Sequence, residues 1–310
     1  MTAALGGLLS VLAALCYALS SVAIAKSAQS AQGRGNDVFL SIVLTALASG
    51  LMWLIFGPSL AGYGKAALAG VAYFAGAGIL ANIIGRLTLF RSVELTGAIE
   101  TGLIRRLIPV FAAVIAVIVL GEVITARIAF AFLLITAGVF IMLVKSLKRV
   151  RLVNEVTQRP TEDKRNGRLL AVTSALSYGA SFVARKLAMQ TLPDPLAGVF
   201  IGAVTGLVWF GGSGMLRRRN RLRLHTLLQR PSGWQFLAAS VMTLGQITQF
   251  VALKLTSVTT VAIISSTEMF FAAWFAAHVF KTEKAPGARF YIAAVLAAGG
   301  VIVLAVSPTG

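Results

Sequence analysis

Two apolar stretches of this sequence contain charges that hydrocarbon should expel. Residues 95–120 carry Glu100, Arg105 and Arg106, and residues 257–280 carry Glu268. A guanidinium is a permanently charged, planar fork of N–H donors that matches a carboxylate or phosphate through two parallel bonds. A carboxylate set opposite it can meet an ammonium group or carry a proton. Together these types suit recognition of a small charged solute. A charge at the centre of a bilayer costs at least ~2.5–3.5 kcal/mol even on lenient insertion scales, so each needs a function or a partner. The competing reading is that Arg105 or Arg106 pairs with Glu100, or snorkels, merely to hold a bundle together.

Helix geometry constrains how these groups meet. At about 100° per residue, Arg105 lies about 140° from Glu100 and Arg106 about 240° from it. A straight helix cannot turn all three to one cavity. Pro109 offers relief, because it removes the bond to the carbonyl of Arg105 and crowds that turn. An unwound turn is therefore expected around 105–109, with Pro109 as a gating element. Irregular backbone at membrane depth is tolerated where it lines a cavity or packs on protein.

Further polar groups fall on helical faces. Ser174, Tyr178, Ser181 and Arg185 follow i, i+4, i+7, i+11 on one stretch, and Tyr17 with Ser20 repeats part of that stripe on another. Asn82 and Arg86 are four apart, and Gln246 and Gln249 three apart. Any one stripe is explained by interhelical hydrogen bonds worth ~0.6–2 kcal/mol. Stripes on several helices at once point to a polar cavity between them. Gly198, Gly202 and Gly206, like Ser41, Thr45 and Ser49, have the small-residue spacing of close helix packing and need no ligand.

These groups must be positioned by membrane-spanning helices. The chain is 57% hydrophobic and 12% charged, against about 25% charged in soluble domains. Runs of about 20 apolar residues span hydrocarbon, and the expected spans are 3–25, 37–57, 66–89, 95–120, 125–145, 168–188, 195–216, 232–253, 257–280 and 287–307. No Lys or Arg precedes the first run, so it reads as a retained helix, not a secretory signal. The net charge of +18 does not mark a nucleic-acid partner, because the cations sort by connection. Odd connections gather Lys145, Lys148, Arg149 and Arg151 in one group and Arg217, Arg218, Arg219, Arg221 and Arg223 in another. Even ones hold Lys65, Arg127, Arg185, Lys186 and Lys254. Cytoplasmic loops collect Lys and Arg, so both termini are expected outside, with basic loops against anionic headgroups. Cys16 stands alone, which excludes an internal disulfide and a cysteine metal site. His225 and His278 have no nucleophile–base set around them, so no catalytic residue, metal or cofactor is expected.

The sequence also repeats itself at an offset of 161. Ala14-Leu15-Cys16-Tyr17-Ala18-Leu19-Ser20 aligns on Ala175-Leu176-Ser177-Tyr178-Gly179-Ala180-Ser181, Glu122 on Glu283, and Gly138 on Gly299. Each copy holds five spans, and an odd number inverts the second copy in the bilayer. The fold class expected is an all-α membrane protein of about ten helices in two inverted five-helix repeats. Its parts are 1–147, a basic cytoplasmic linker at 148–167, and 168–310. Inverted repeats around a midplane site are the architecture of alternating-access transporters. Arg106 and Glu268 then fall at comparable depth near the pseudo-two-fold axis.

Pro109-Val110-Phe111, Leu120-Gly121-Glu122 and Gly138-Val139 resemble the EamA domain of the drug/metabolite transporter superfamily. The second copy departs from it: Phe270 replaces Pro109, and Lys281-Thr282 precede Glu283. The resemblance implies transport of small organic solutes such as amino acids, with four helices of each half around the cavity and the fifth peripheral. It also implies that Glu122 and Glu283 are helix-end glutamates that pack and cap. Cationic-drug exchangers of that superfamily rely on a first-helix glutamate, whereas the first and sixth spans here contain no acid. The function expected is secondary transport of a small zwitterionic or anionic metabolite, amino-acid-like, across the inner membrane by a monomer. A flippase for a lipid-linked substrate is the alternative, and an intramembrane enzyme is the remote one. The substrate would meet Arg106, Glu268, Arg105, Glu100, Asn82, Arg86, Tyr17, Tyr178, Ser181, Arg185, Gln246 and Gln249.

Overall fold

A chain crossing hydrocarbon must satisfy its own backbone hydrogen bonds, and every element among the described residues is a helix. The computed structural model describes residues 2–29, 37–58, 64, 67–157, 161–216, 232–282 and 287–305. The basic stretch 217–223 and Glu283 lie outside them. Helices α1 (Thr2–Gln29), α2 (Asp37–Phe56) and α3 (Ala67–Thr96) are followed by α4, built from Ala98–Ile104, a tight turn Arg105–Leu107 and Ile108–Leu120. Next come α5 (Ala126–Thr157), α6 (Thr161–Thr191), α7 (Pro195–Leu216), α8 (Gly233–Leu255), α9 (Val258–Val279) and α10 (Ala288–Ala305). Eight of these are long and apolar enough to cross a membrane, and α10 is a shorter apolar helix. The sixth, α6, is less apolar because it carries Arg185 and Lys186, and it packs against α3, α4 and α8.

Two connections depart from expectation. Helix α3 runs on to Thr96, leaving Gly97 alone, at φ 90°, before α4. Most of the expected linker at 148–167 is helical, since α5 continues to Thr157 and α6 starts at Thr161. Charge ends the apolar run after residue 145, but nothing between Gly138 and Pro160 breaks a helix.

The halves interlock through equivalent pairs. Helix α1 packs on α8 of the other half, and its counterpart α6 packs on α3. Helix α2 packs on its counterpart α7, and α5 on α10. Among the deepest side chains, Phe74, Leu253, Val258 and Val261 lie where α3, α6, α8 and α9 meet, while Ile263 and Ile264 of α9 pack with Ile135 of α5 and Phe290 of α10. Outward faces show Leu47, Leu51, Leu54, Ile118 and Val295, as a lipid-facing surface requires. The small-residue stripe of α7 does pack closely. A Cβ on Gly78 of α3 would lie 3.0 Å from the carbonyl oxygen of Gly202, and one on Gly198 would strike the ring of Phe74.

Candidate functional site

Two tyrosines frame the interior symmetrically. The ring of Tyr17 on α1 lies against Gly245 of α8, where a Cβ would come within 3.1 Å of it. The ring of Tyr178 on α6 lies against Gly85 of α3, where a Cβ would come within 3.0 Å. A larger residue at either glycine would push its tyrosine off the helix. Ser174 tightens the second contact by donating to the Gly85 carbonyl at 2.7 Å.

The charges break this symmetry. Arg185, one turn beyond Ser181, donates to Oε1 of Gln249 at 3.0 Å, and the Tyr17 hydroxyl donates to the same oxygen at 3.1 Å. Gln249 passes the network on, its Nε2 donating to Ser265 at 3.4 Å. The Arg185 guanidinium also stands 4.6 Å from the Phe250 ring centroid and 5.6 Å from that of Phe182. A buried cation over an aromatic face gains about 2 kcal/mol when desolvated. Arg105 lies over the Tyr178 ring at 5.0 Å. Ser21 reaches Glu268 Oε1 at 3.1 Å and its own Tyr17 carbonyl at 2.8 Å, so one hydroxyl proton is shared between them. Glu268 is within electrostatic reach of Arg106 and Tyr17, and Arg185 of Tyr17 and Tyr178. Arg86 follows Gly85 directly, beside the Tyr178 contact. Arg86, Arg105, Arg106 and Arg185 each keep a buried N–H with no hydrogen-bond partner.

Both helices that carry the central charges are broken. In α4 the turn Arg105–Leu107 is tight, and the Ile108 N–H bonds the Arg105 carbonyl that Pro109 cannot reach. Its aligned segment in α9 breaks too, at Ser266–Thr267, with Glu268 opening the next helical segment. No proline stands there, so proline is not the general cause. Ser265, Ser266 and Thr267 instead turn their hydroxyls onto the carbonyls of Val261, Ile263 and Ile264 and compete with the helical ladder. A wide helical turn at Ile79–Gly85 in α3 contains Asn82, and such π segments recur at functional sites.

The remaining expected site residues lie in other surroundings. Glu100 is paired with Arg168 at 2.5 Å, two turns into α6, and among the described residues not with Arg105 or Arg106. Asn82 donates to the Gly202 carbonyl at 3.0 Å, tying α3 to α7. Ser181 is buried and donates to the Tyr178 carbonyl of its own helix. Gln246 is half-buried on α8, one turn before Gln249. Ser21, Ser265, Phe182, Phe250 and the two glycines join the cluster without having been singled out from sequence. Ser21 alone had a signal, standing one turn after Tyr17.

Away from the cluster, Glu122 accepts the backbone N–H of Val258 at 2.6 Å and that of Thr259 at 3.1 Å, plus the Thr259 hydroxyl at 2.7 Å. It caps α9. Lys186 donates to the carbonyls of Leu253 and Thr256 across the same α8–α9 junction. An apolar groove of about 400 Å³ runs between α3 and α7, lined by Val71, Phe200, Ile201, Val204, Thr205 and Val208. No group of His, Cys, Asp and Glu among the described residues could hold a metal ion.

Paired inverted halves around a polar, arginine-rich interior define a helical multi-pass membrane protein of the transporter class. The EamA-like transporter family matches the chain twice, at residues 4–144 and 165–306, and the chain belongs to that family. No curated protein matches it in sequence. A solved structure described only as "Crystal structure of protein" shares the fold, with a TM-score of 0.67 and 16% identity over 96% of this chain and 95% of that one.

Proposed function

We propose that this chain is a secondary transporter that moves a small anionic or zwitterionic metabolite, amino-acid-like in size, by alternating access. The observation that carries the reading is the set of buried guanidinium N–H groups without partners on Arg86, Arg105, Arg106 and Arg185, with Arg105 and Arg106 at the break in α4 and Glu268 at that in α9. Unpaired buried donors cost free energy unless a ligand or water meets them. Arg106 and its neighbours would hold an acidic group, and Glu268 would meet an ammonium or a proton. The broken helices α4 and α9 would supply backbone that rearranges as access switches. Basic odd-numbered connections support an inner-membrane orientation with both termini outside the cytoplasm.

The test is ligand-dependent stabilisation of the purified chain across amino acids, organic acids and sugar phosphates, followed by uptake into proteoliposomes. Stabilisation follows RT ln(1+[L]/Kd), so millimolar ligand exposes even weak binding. Stabilisation without saturable uptake would refute transport. The α3–α7 groove favours one second reading, a flippase whose lipid-linked substrate keeps its acyl chain in that groove. Acceleration of headgroup translocation in vesicles, with no uptake of soluble solutes, would select it.

A further inference from the structure

We infer that the site takes a solute with two separated carboxylates, a short dicarboxylic acid or an acidic amino acid; this rests on the transport reading above. Charge is the first observation. Arg86, Arg105, Arg106 and Arg185 keep buried N–H groups unpartnered, and Glu268, held by Ser21, is the carboxylate within electrostatic reach of Arg106. Other acids lie elsewhere: Glu94 pairs with Arg91, Glu100 with Arg168, Glu122 caps α9, Asp194 caps α7, and Glu162 and Asp163 are exposed in the first turn of α6. Four guanidiniums against one carboxylate leave a positive excess at membrane depth. A solute with one carboxylate and one ammonium adds no net charge and leaves that excess unchanged. A second carboxylate reduces it.

Placement is the second observation. Arg105 lies over Tyr178, while Arg185 leaves the same helix seven residues further on, about 10 Å along its axis. Arg185 is held in place by Gln249 and the Phe250 ring. Arg105 and Arg185 are therefore anchored separately, one on the Tyr178 ring and the other on Gln249 and the Phe250 ring. Two separately anchored guanidiniums suit acids at the two ends of a short chain. Each would offer the paired N–H bonds that a carboxylate accepts. Glu268, near Arg106 and Tyr17, would take the ammonium where the solute has one.

Isothermal titration of the purified full chain with succinate, glutamate, serine and glycerol 3-phosphate tests this. Succinate and glutamate should bind at least tenfold more tightly than serine, and Arg185→Gln should bring that ratio close to one. If Arg185→Gln fails to fold, the wild-type ratio decides alone. Serine binding as tightly as glutamate, or glycerol 3-phosphate binding most tightly, overturns the inference and leaves the transport reading standing. No binding of these four or of any other amino or organic acid overturns both.

Discussion

At the residue scale, the Arg106–Glu268 relation crosses between the halves, and neither charge has a symmetry-related copy to replace it. The residue aligned with Glu268 is Leu107, and that aligned with Arg106 is Thr267. Arg106→Leu and Glu268→Gln should therefore each abolish uptake while membrane insertion stays intact, as fractionation and proteoliposome assays would show. Normal transport by either variant would make that residue structural. These two were legible in sequence because a charge inside an apolar run has few explanations. Glu100 had the same signature, yet the fold brings Arg168 to it. One helix's periodicity does not reveal which neighbour reaches its face. Ser265, Phe250, Gly85 and Gly245 were illegible for the opposite reason. Their types are ordinary in membrane helices, and only the packing of α1, α6 and α9 on α8 and of α6 on α3 gives them a role.

At the element scale, the two breaks lie at aligned positions but have different causes. Pro109→Ala restores an N–H that can reach the Arg105 carbonyl, so α4 should straighten. A proline in an unstrained helix interior costs about 3 kcal/mol, and thermal stability should rise by up to about that much. Transport should fall, because Arg105 and Arg106 would return to positions about 100° apart on a regular helix. Unchanged transport and substrate affinity would remove the break from the mechanism. Phe270→Pro is not the mirror experiment. It deletes the N–H that Phe270 gives to Thr267 and the buried ring that packs on Phe290, so folded yield should drop. The break in α4 was readable from Pro109. That in α9 was not, since Ser and Thr do not declare where their hydroxyls bond. Glu122→Gln should weaken the α9 cap and lower stability by about 1 kcal/mol, measured as a fall in melting temperature.

For the whole molecule, the repeat offset and the apolar spans disclosed the architecture before any contact was known. The interlocking was hidden, because partners across the pseudo-two-fold axis share no local pattern. The proposed orientation rests on the charges of the connections. The α5–α6 connection and its flanks carry Lys145, Lys148, Arg149, Arg151, Arg159, Lys164, Arg165 and Arg168, whereas Arg127 stands alone near the α4–α5 turn. Cations near the ends of spans are retained in the cytoplasm, so the proposed orientation has the end of α5 inside and both termini outside. In a Cys16→Ala background, Thr157→Cys should be protected from an impermeant thiol reagent in intact cells and react once the membrane is opened. The Glu100–Arg168 pair would then face the cytoplasm, and the Glu122 cap with Lys186 would face outward, at opposite ends of the same bundle. Rapid labelling of Thr157→Cys in intact cells would invert the molecule and exchange those two ends.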